Sequence, residues 1–159
     1  MSHVPMTSPP PHLILLSFAL ILPSVAQGTT IKYCDRTVDY AVKVRDVGIS
    51  PNPVEPGKPT TFDIYASSDQ ALPKGKVVIK VLYHGILLRT ETHNICEAMS
   101  CPIASGEFTL SHTQNLPAFA PPGLYTLKIT MEDDENNQQL TCISFNFRIG
   151  FGRFHLLDS

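Results

Sequence analysis

An all-β sandwich or barrel, six or seven short strands around one core, is the fold class that the sequence predicts. Three observations point to it. Apolar residues recur with a period of two, clusters of Pro, Gly and polar residues separate these runs from Val38 onward, and no amphipathic helix of convincing length occurs. A chain of 159 residues has room for one domain with a core large enough to fold unaided.

In DYAVKVRDVGI, Tyr40, Val42 and Val44 share one face while Ala41, Lys43 and Arg45 take the other, the alternation of a half-buried strand. SPNPVEPGKPT then brings Pro51, Pro53, Pro56, Gly57 and Pro59, which fix φ and remove ladder donors, so this stretch is a turn or a sheet-edge connection. TFDIYA places Phe62, Ile64 and Ala66 in phase. GKVVIKVLYHG sets Val77, Ile79, Val81 and Tyr83 against Lys76, Val78, Lys80 and Leu82, so its second face is only half polar. GEFTLSH supplies Phe108 and Leu110 to a further strand. After the punctuation of LPAFAPPG, GLYTLKITM aligns Tyr125, Leu127, Ile129 and Met131 opposite Thr126, Lys128 and Thr130. EDDENN, Glu132 to Asn137, is a polar hairpin loop, and in LTCISFNFRI the residues Ile143, Phe145, Phe147 and Ile149 share one face.

The N-terminus sets the compartment. LILLSFALIL, Leu13 to Leu22, is mostly apolar but too short for the roughly 20 residues of a membrane-spanning helix. Pro23 breaks it, and Ser24 and Ala26 are small enough for a cleavage site. Residues 1–26 therefore read as a signal peptide, although Met1 to Pro11 lack the usual Lys or Arg. The expected destination is the extracellular space, the apoplast or the vacuolar lumen. Thiols in such compartments pair, and four cysteines fit two disulfides, with three pairings open. If Cys96 and Cys101 close the short loop of HNICEAMSCPI, Cys34 is left for Cys142. Four intervening residues are too many for a Cys-x-x-Cys redox motif, and a zinc site at His93, Cys96 and Cys101 lacks a fourth ligand from a second close pair. The motif reads as a staple, with no metal and no cofactor expected.

Charged residues make up 16% and the net charge is -2, which gives no electrostatic footprint for nucleic acid. No G-x-S-x-G, H-E-x-x-H or glycine-rich phosphate loop is present, so no catalytic residue is assigned. His84, His93 and His112 read as scattered surface or loop histidines. The run Glu132 to Glu135 lacks the glycine and terminal glutamate of an EF-hand loop and reads as solvated. Lys74, Lys76 and Lys80 read as lysines on a wet face, with anionic head groups as the alternative partner. Phe62, Tyr83, Phe108, Tyr125, Phe145 and Phe147 occupy in-facing positions. They fill the space between two sheets or line a cavity there, according to whether the sheets close or splay. The Cys, Trp, Cys cue of antibody domains is missing, since the chain has no tryptophan.

YCDRTVDYAVKVRDVGISPNPVEPGKPTTFDIYA, CEAMSCPI and NLPAFAPPGLYTLKITMEDDENNQQLTCISF, in that order, resemble the ML, or lipid-recognition, domain. That family includes phosphatidylglycerol/phosphatidylinositol transfer proteins of fungi and plants and Niemann-Pick type C sterol-transfer proteins. The resemblance spans Thr30 to Ile149 and is most specific over Cys96 to Ile103 and Leu116 to Cys142. Its proline-rich stretch Ser50 to Pro59 looks most like the plant branch, and prolines stand where sterol-transfer members carry a further disulfide.

The resemblance implies an immunoglobulin-like β-sandwich of two antiparallel sheets with a lipid cavity between them, over residues 27–150, followed by a tail, 151–159. It supports pairing Cys34 with Cys142 and Cys96 with Cys101. Carried over by position, Val42, Val44, Phe62, Ile64, Val81, Tyr83, Leu110, Leu127, Ile129, Phe145 and Phe147 would line the pocket, with Phe119, Pro121 and Pro122 near its mouth. The implied activity is not enzymatic: a monomer that holds a phospholipid or sterol and moves it between membranes by transient surface contact. An extracellular interaction module, or a co-factor that presents lipid to a receptor, is the alternative.

Overall fold

The computed structural model describes residues 29–151. The expected signal peptide, 1–26, lies outside the described residues, as does the tail beyond Phe151. The elements are β1 (Ile31–Tyr33), β2 (Val42–Ser50), β3 (Pro59–Ser68), β4 (Gly75–Tyr83), β5 (Ile86–Asn94), α1 (Ile95–Ala98), β6 (Gly106–Asn115), β7 (Gly123–Asp133) and β8 (Gln139–Ile149). They form two antiparallel sheets, ordered β1-β8-β7-β4-β5 and β2-β3-β6, stacked as an immunoglobulin-like sandwich.

Alternation builds the core. Tyr125, Leu127, Ile129 and Met131 of β7 and Ile143, Phe145, Phe147 and Ile149 of β8 are all buried, against Val42, Phe62, Ile64 and Leu110 of the smaller sheet. Within the smaller sheet the period breaks in β2, where the register with β3 shifts between Val44 and Asp46. This bulge takes up one residue, so that Val47 is buried again after Val42 and Val44.

Eight strands form among the described residues against the six or seven that the pattern predicts, and β1 and β5 are the two that the pattern did not show. β1 is three residues long, too short to show a period, and is fixed by pairing Ile31 with Phe145 and Tyr33 with Ile143. β5 escapes pattern reading because polar residues take its inner face. Glu91 and His93 sit opposite Ile79 and Val77 of β4, while Ile86, Leu87 and Leu88 are exposed. Its first pairs are set by the two-residue turn His84-Gly85, whose φ angles of 49° and 80° are both left-handed, as a type I′ hairpin requires, and the register then shifts by one residue between Leu82 and Val81.

Both disulfides form as the family resemblance implies, Cys34–Cys142 and Cys96–Cys101. The acidic β7–β8 loop is organised by Asp133, whose Oδ1 accepts from the Glu135 backbone N–H at 2.7 Å. Two of the lysines read from the sequence are its partners: Lys74 lies 3.5 Å from Glu135 and Lys76 3.2 Å from Glu132.

Stacking the sheets leaves two sides. On one, the edge strands β1 and β2 meet. The Tyr33 hydroxyl accepts from the Val44 N–H at 2.8 Å and donates to the Val44 carbonyl at 3.2 Å, covering part of the free edge of β2. The loop after β2 then runs along β8, with Val54 N–H bonded to the Arg148 carbonyl and Gly150 N–H to the Val54 carbonyl. On the other side the edge strands are β5 and β6, and they are not neighbours in any sheet.

Candidate functional site

An apolar crevice of about 60 Å³ runs between the sheets along the β5–β6 side. The smaller sheet contributes Phe62, Ile64 and Leu110 to its walls. The larger sheet contributes Val77, Ile79, Val81, Leu127, Ile129 and Phe147, and the rim carries Glu91, His112, Gln114 and Leu116. Alternation explains the walls, since each strand sends every second side chain inward.

One end is closed by α1, whose Ile95 is buried against Gly75. A Cβ on Gly75 would lie 2.7 Å from the Glu132 carbonyl oxygen and 2.9 Å from Ile95 Cδ1, so only glycine allows this approach. The other end, at Val81 and Leu116, adjoins the β4–β5 turn and the loop before β7. An aromatic row leads inward from there. Tyr83 and Tyr125 have ring centroids 4.7 Å apart, Tyr125 and Phe147 5.5 Å, and Phe147 and Phe62 5.5 Å. Tyr125 also donates from its hydroxyl to the Pro121 carbonyl at 2.8 Å, and burial beside Tyr83 raises its pKa above the ordinary phenol value.

Of the residues placed in the pocket by resemblance, Phe62, Ile64, Val81, Leu110, Leu127, Ile129 and Phe147 line this crevice. Val42, Val44 and Phe145 are buried but do not line it, and Tyr83 is half-buried at its outer end. Phe119 is 87% exposed, and Pro121 and Pro122 are exposed beside it. Val77 and Ile79 were readable as in-facing from their period. The polar rim was not readable, because Glu91 and His93 belong to β5, the strand without an apolar period.

That rim corrects one sequence expectation. His93 and His112 are not scattered: β5 and β6 bring their rings to 4.8 Å between centroids. Glu91 lies between them, with Oε2 at 3.1 Å from His93 Nε2 and 3.9 Å from His112 Nε2, while Arg89 pairs with its other oxygen, Oε1. Burial lowers the His112 pKa from the ordinary imidazole value, helped by His93 and opposed by Glu91 and by a hydrogen bond with Gln114. The two cysteines near His93 in sequence are disulfide-bonded to each other and take no part.

A roomier depression, about 630 Å³, lies on the outer face of the larger sheet. Thr126, Ser144, Asn146 and Arg148 floor it, so it offers polar groups to solvent and lacks the walls an apolar ligand needs.

A disulfide-stapled sandwich with an apolar interior that opens between two strand edges has the architecture of a binding module. The chain belongs to the ML-domain family, whose model matches residues 28–149. It is 30% identical over 137 residues to a candidate phosphatidylglycerol/phosphatidylinositol transfer protein of Dictyostelium discoideum, covering 84% of this chain and 92% of that protein. It is 28% identical over 139 residues to the phosphatidylglycerol/phosphatidylinositol transfer protein of Mycosarcoma maydis, covering 82% of this chain and 71% of that one. Among solved structures, a Niemann-Pick type C2 protein from the Japanese carpenter ant shares the fold, with a TM-score of 0.61 at 13% identity, covering 76% of this chain and 99% of that one.

Proposed function

We propose that this chain is a secreted, non-enzymatic lipid-binding and transfer protein that holds the tails of a phospholipid or sterol between its two sheets. The apolar crevice on the unstitched β5–β6 side carries this reading, in a family whose relatives include phosphatidylglycerol/phosphatidylinositol transfer proteins. Each buried methylene contributes about 0.8 kcal/mol, so one long acyl chain offers on the order of 10 kcal/mol gross before ordering costs. No covalent step is needed.

At about 60 Å³ the crevice falls well short of the roughly 300–1,000 Å³ of ordinary ligand sites. Loading therefore requires the β5 and β6 edges to move apart, and these two strands share no backbone pairing that would resist it. Exposed apolar residues cluster toward the Val81 end: Ile86, Leu87 and Leu88 after the β4–β5 turn, and Phe119 and Leu124 around the start of β7. They supply a surface for transient contact with a membrane.

The test is organic extraction of the secreted protein and mass spectrometry of what it carries, with Val81→Trp processed in parallel. Val81 is half-buried at the crevice wall, so tryptophan there plugs the space, at an overpacking cost of about 1–3 kcal/mol. The expected result is a stoichiometric phospholipid or sterol in the wild type and several-fold less in the folded variant. Equal loading in both would remove the crevice as the site, and no lipid in either, with no uptake from vesicles, would favour an interaction module instead.

A further inference from the structure

Glu91, His93 and His112 form the one group of three metal-capable side chains found among the described residues, and the lipid reading makes no use of it. Their ligand atoms all lie within 4.8 Å of one another. Glu91 is well shielded, with 13% of its side chain exposed, while His112 and His93 keep 25% and 39%. A tetrahedral zinc ion with bonds of about 2.0–2.1 Å sets neighbouring ligand atoms on the order of 3.3 Å apart. The separations from Glu91 Oε2, 3.1 Å to His93 and 3.9 Å to His112, are already close to that spacing, so small side-chain rotations complete the set.

The surroundings suit the same role. Arg89 pairs with Glu91 Oε1, so that Oε2 faces the histidines and already meets His93 Nε2. Outer partners of this kind fix the orientation of metal ligands. The structural alternative is that Glu91 and His93 are inward-pointing polar residues that protect the edge of β5 from pairing with another chain. Edge protection, however, needs no third group from the opposite sheet, and His112 of β6 supplies one.

We propose that Glu91, His93 and His112 form a binding site for a zinc-class divalent ion that clips the β5 edge to the β6 edge. Two imidazoles and one carboxylate are a donor set that such ions take, with a fourth position left for water or a ligand oxygen. The clip joins two neighbouring edges, β5 and β6, that share no backbone hydrogen bonds among the described residues, directly over the crevice. A consequence, which rests on the lipid reading, is that the ion slows exchange of lipid by holding the two edges together.

The experiment uses tag-free, disulfide-intact, metal-stripped protein titrated with zinc chloride by calorimetry. His112→Gln and Glu91→Gln are run beside it, with His84→Asn on the β4–β5 turn as the control. The expected result is one zinc per chain in the wild type and in the control, and affinity at least roughly tenfold weaker in both rim variants. Absence of saturable binding, or binding indifferent to both rim variants, would overturn the site. To guard against misfolding of a variant, the His93 and His112 ring signals of the wild type are followed by NMR; both must shift with zinc, and unmoved signals overturn the site equally. A second readout is uptake of a fluorescent phosphatidylglycerol from vesicles. Slower uptake with zinc in the wild type but not in His112→Gln supports the clip, whereas zinc that binds without changing the rate overturns it. Zinc binding with no lipid uptake under any condition supports the metal site and sinks the lipid reading alone.

Discussion

The two sides of this sandwich are built from the same materials and closed by different means. Where β1 meets β2, backbone groups are joined across the sheets through Tyr33, the long disulfide anchors β1 to β8, and the loop carrying Val54 is bonded along β8. Where β5 meets β6, side chains alone face one another, two of them histidines. The fold keeps its stability on the first side and can open on the second. A binding cavity that has to admit a long apolar molecule needs one yielding side, and the yielding side has to be braced by a rigid one.

The largest test of this asymmetry removes the disulfides separately. Cys34–Cys142 closes a sequence separation of 108 residues and Cys96–Cys101 one of 5. The chain-entropy relation gives close to 5 kcal/mol for the first and about 2 kcal/mol for the second. Urea denaturation of the paired Cys→Ala variants is expected to keep that order. Equal losses would mean that the braced side is not braced by its staple. Next in size comes the core. Ile143, fully buried behind the Tyr33 side, is expected to cost about 2–5 kcal/mol as Ile143→Ala, and half-buried Val81 at the crevice about 1 kcal/mol as Val81→Ala. The midpoints of the two unfolding curves decide it, and a Val81→Ala loss as large as the other would show a crevice packed as tightly as the core.

The rigid side was the more legible one in the sequence, because its strands carry their burial as an apolar period. β7 alternates along its length and β8 from Ile143 onward, and Tyr125, Leu127, Ile129 and Met131 with Ile143, Phe145, Phe147 and Ile149 land inside as read. The yielding side was legible only in part. Seven of the fourteen residues carried over by resemblance line the crevice, but β5 itself was not visible. ILLRTETHN exposes its apolar residues and turns Glu91 and His93 inward, the reverse of the pattern that marks a half-buried strand. His93 and His112 are far apart in the chain and meet only because β5 and β6 are the outer strands of stacked sheets, a fact of topology that no local spacing encodes. The same holds for Tyr33, whose single hydroxyl joins the two sheets from a strand of three residues.

Tyr33→Phe removes the fewest atoms of these changes and is the most specific. It keeps the ring, and with it the stacking on Tyr40 at 5.6 Å, and deletes only the oxygen that both accepts from and donates to the Val44 backbone. The Val44 N–H and carbonyl then lose a partner on a part-buried edge, which costs about 1–3 kcal/mol. Hydrogen exchange reads this locally. In the wild type the Val44 amide is expected to exchange far more slowly than the amides on the free edge of β5, and in Tyr33→Phe the two should move toward one another. If Val44 stays protected, the seal at the β1–β2 side comes from packing of Val42 and Ile143 and not from the tyrosine bridge. If it opens while β5 is unchanged, the hydroxyl is what makes one side of the sandwich firm, and the sheets are hinged there when they part along β5 and β6.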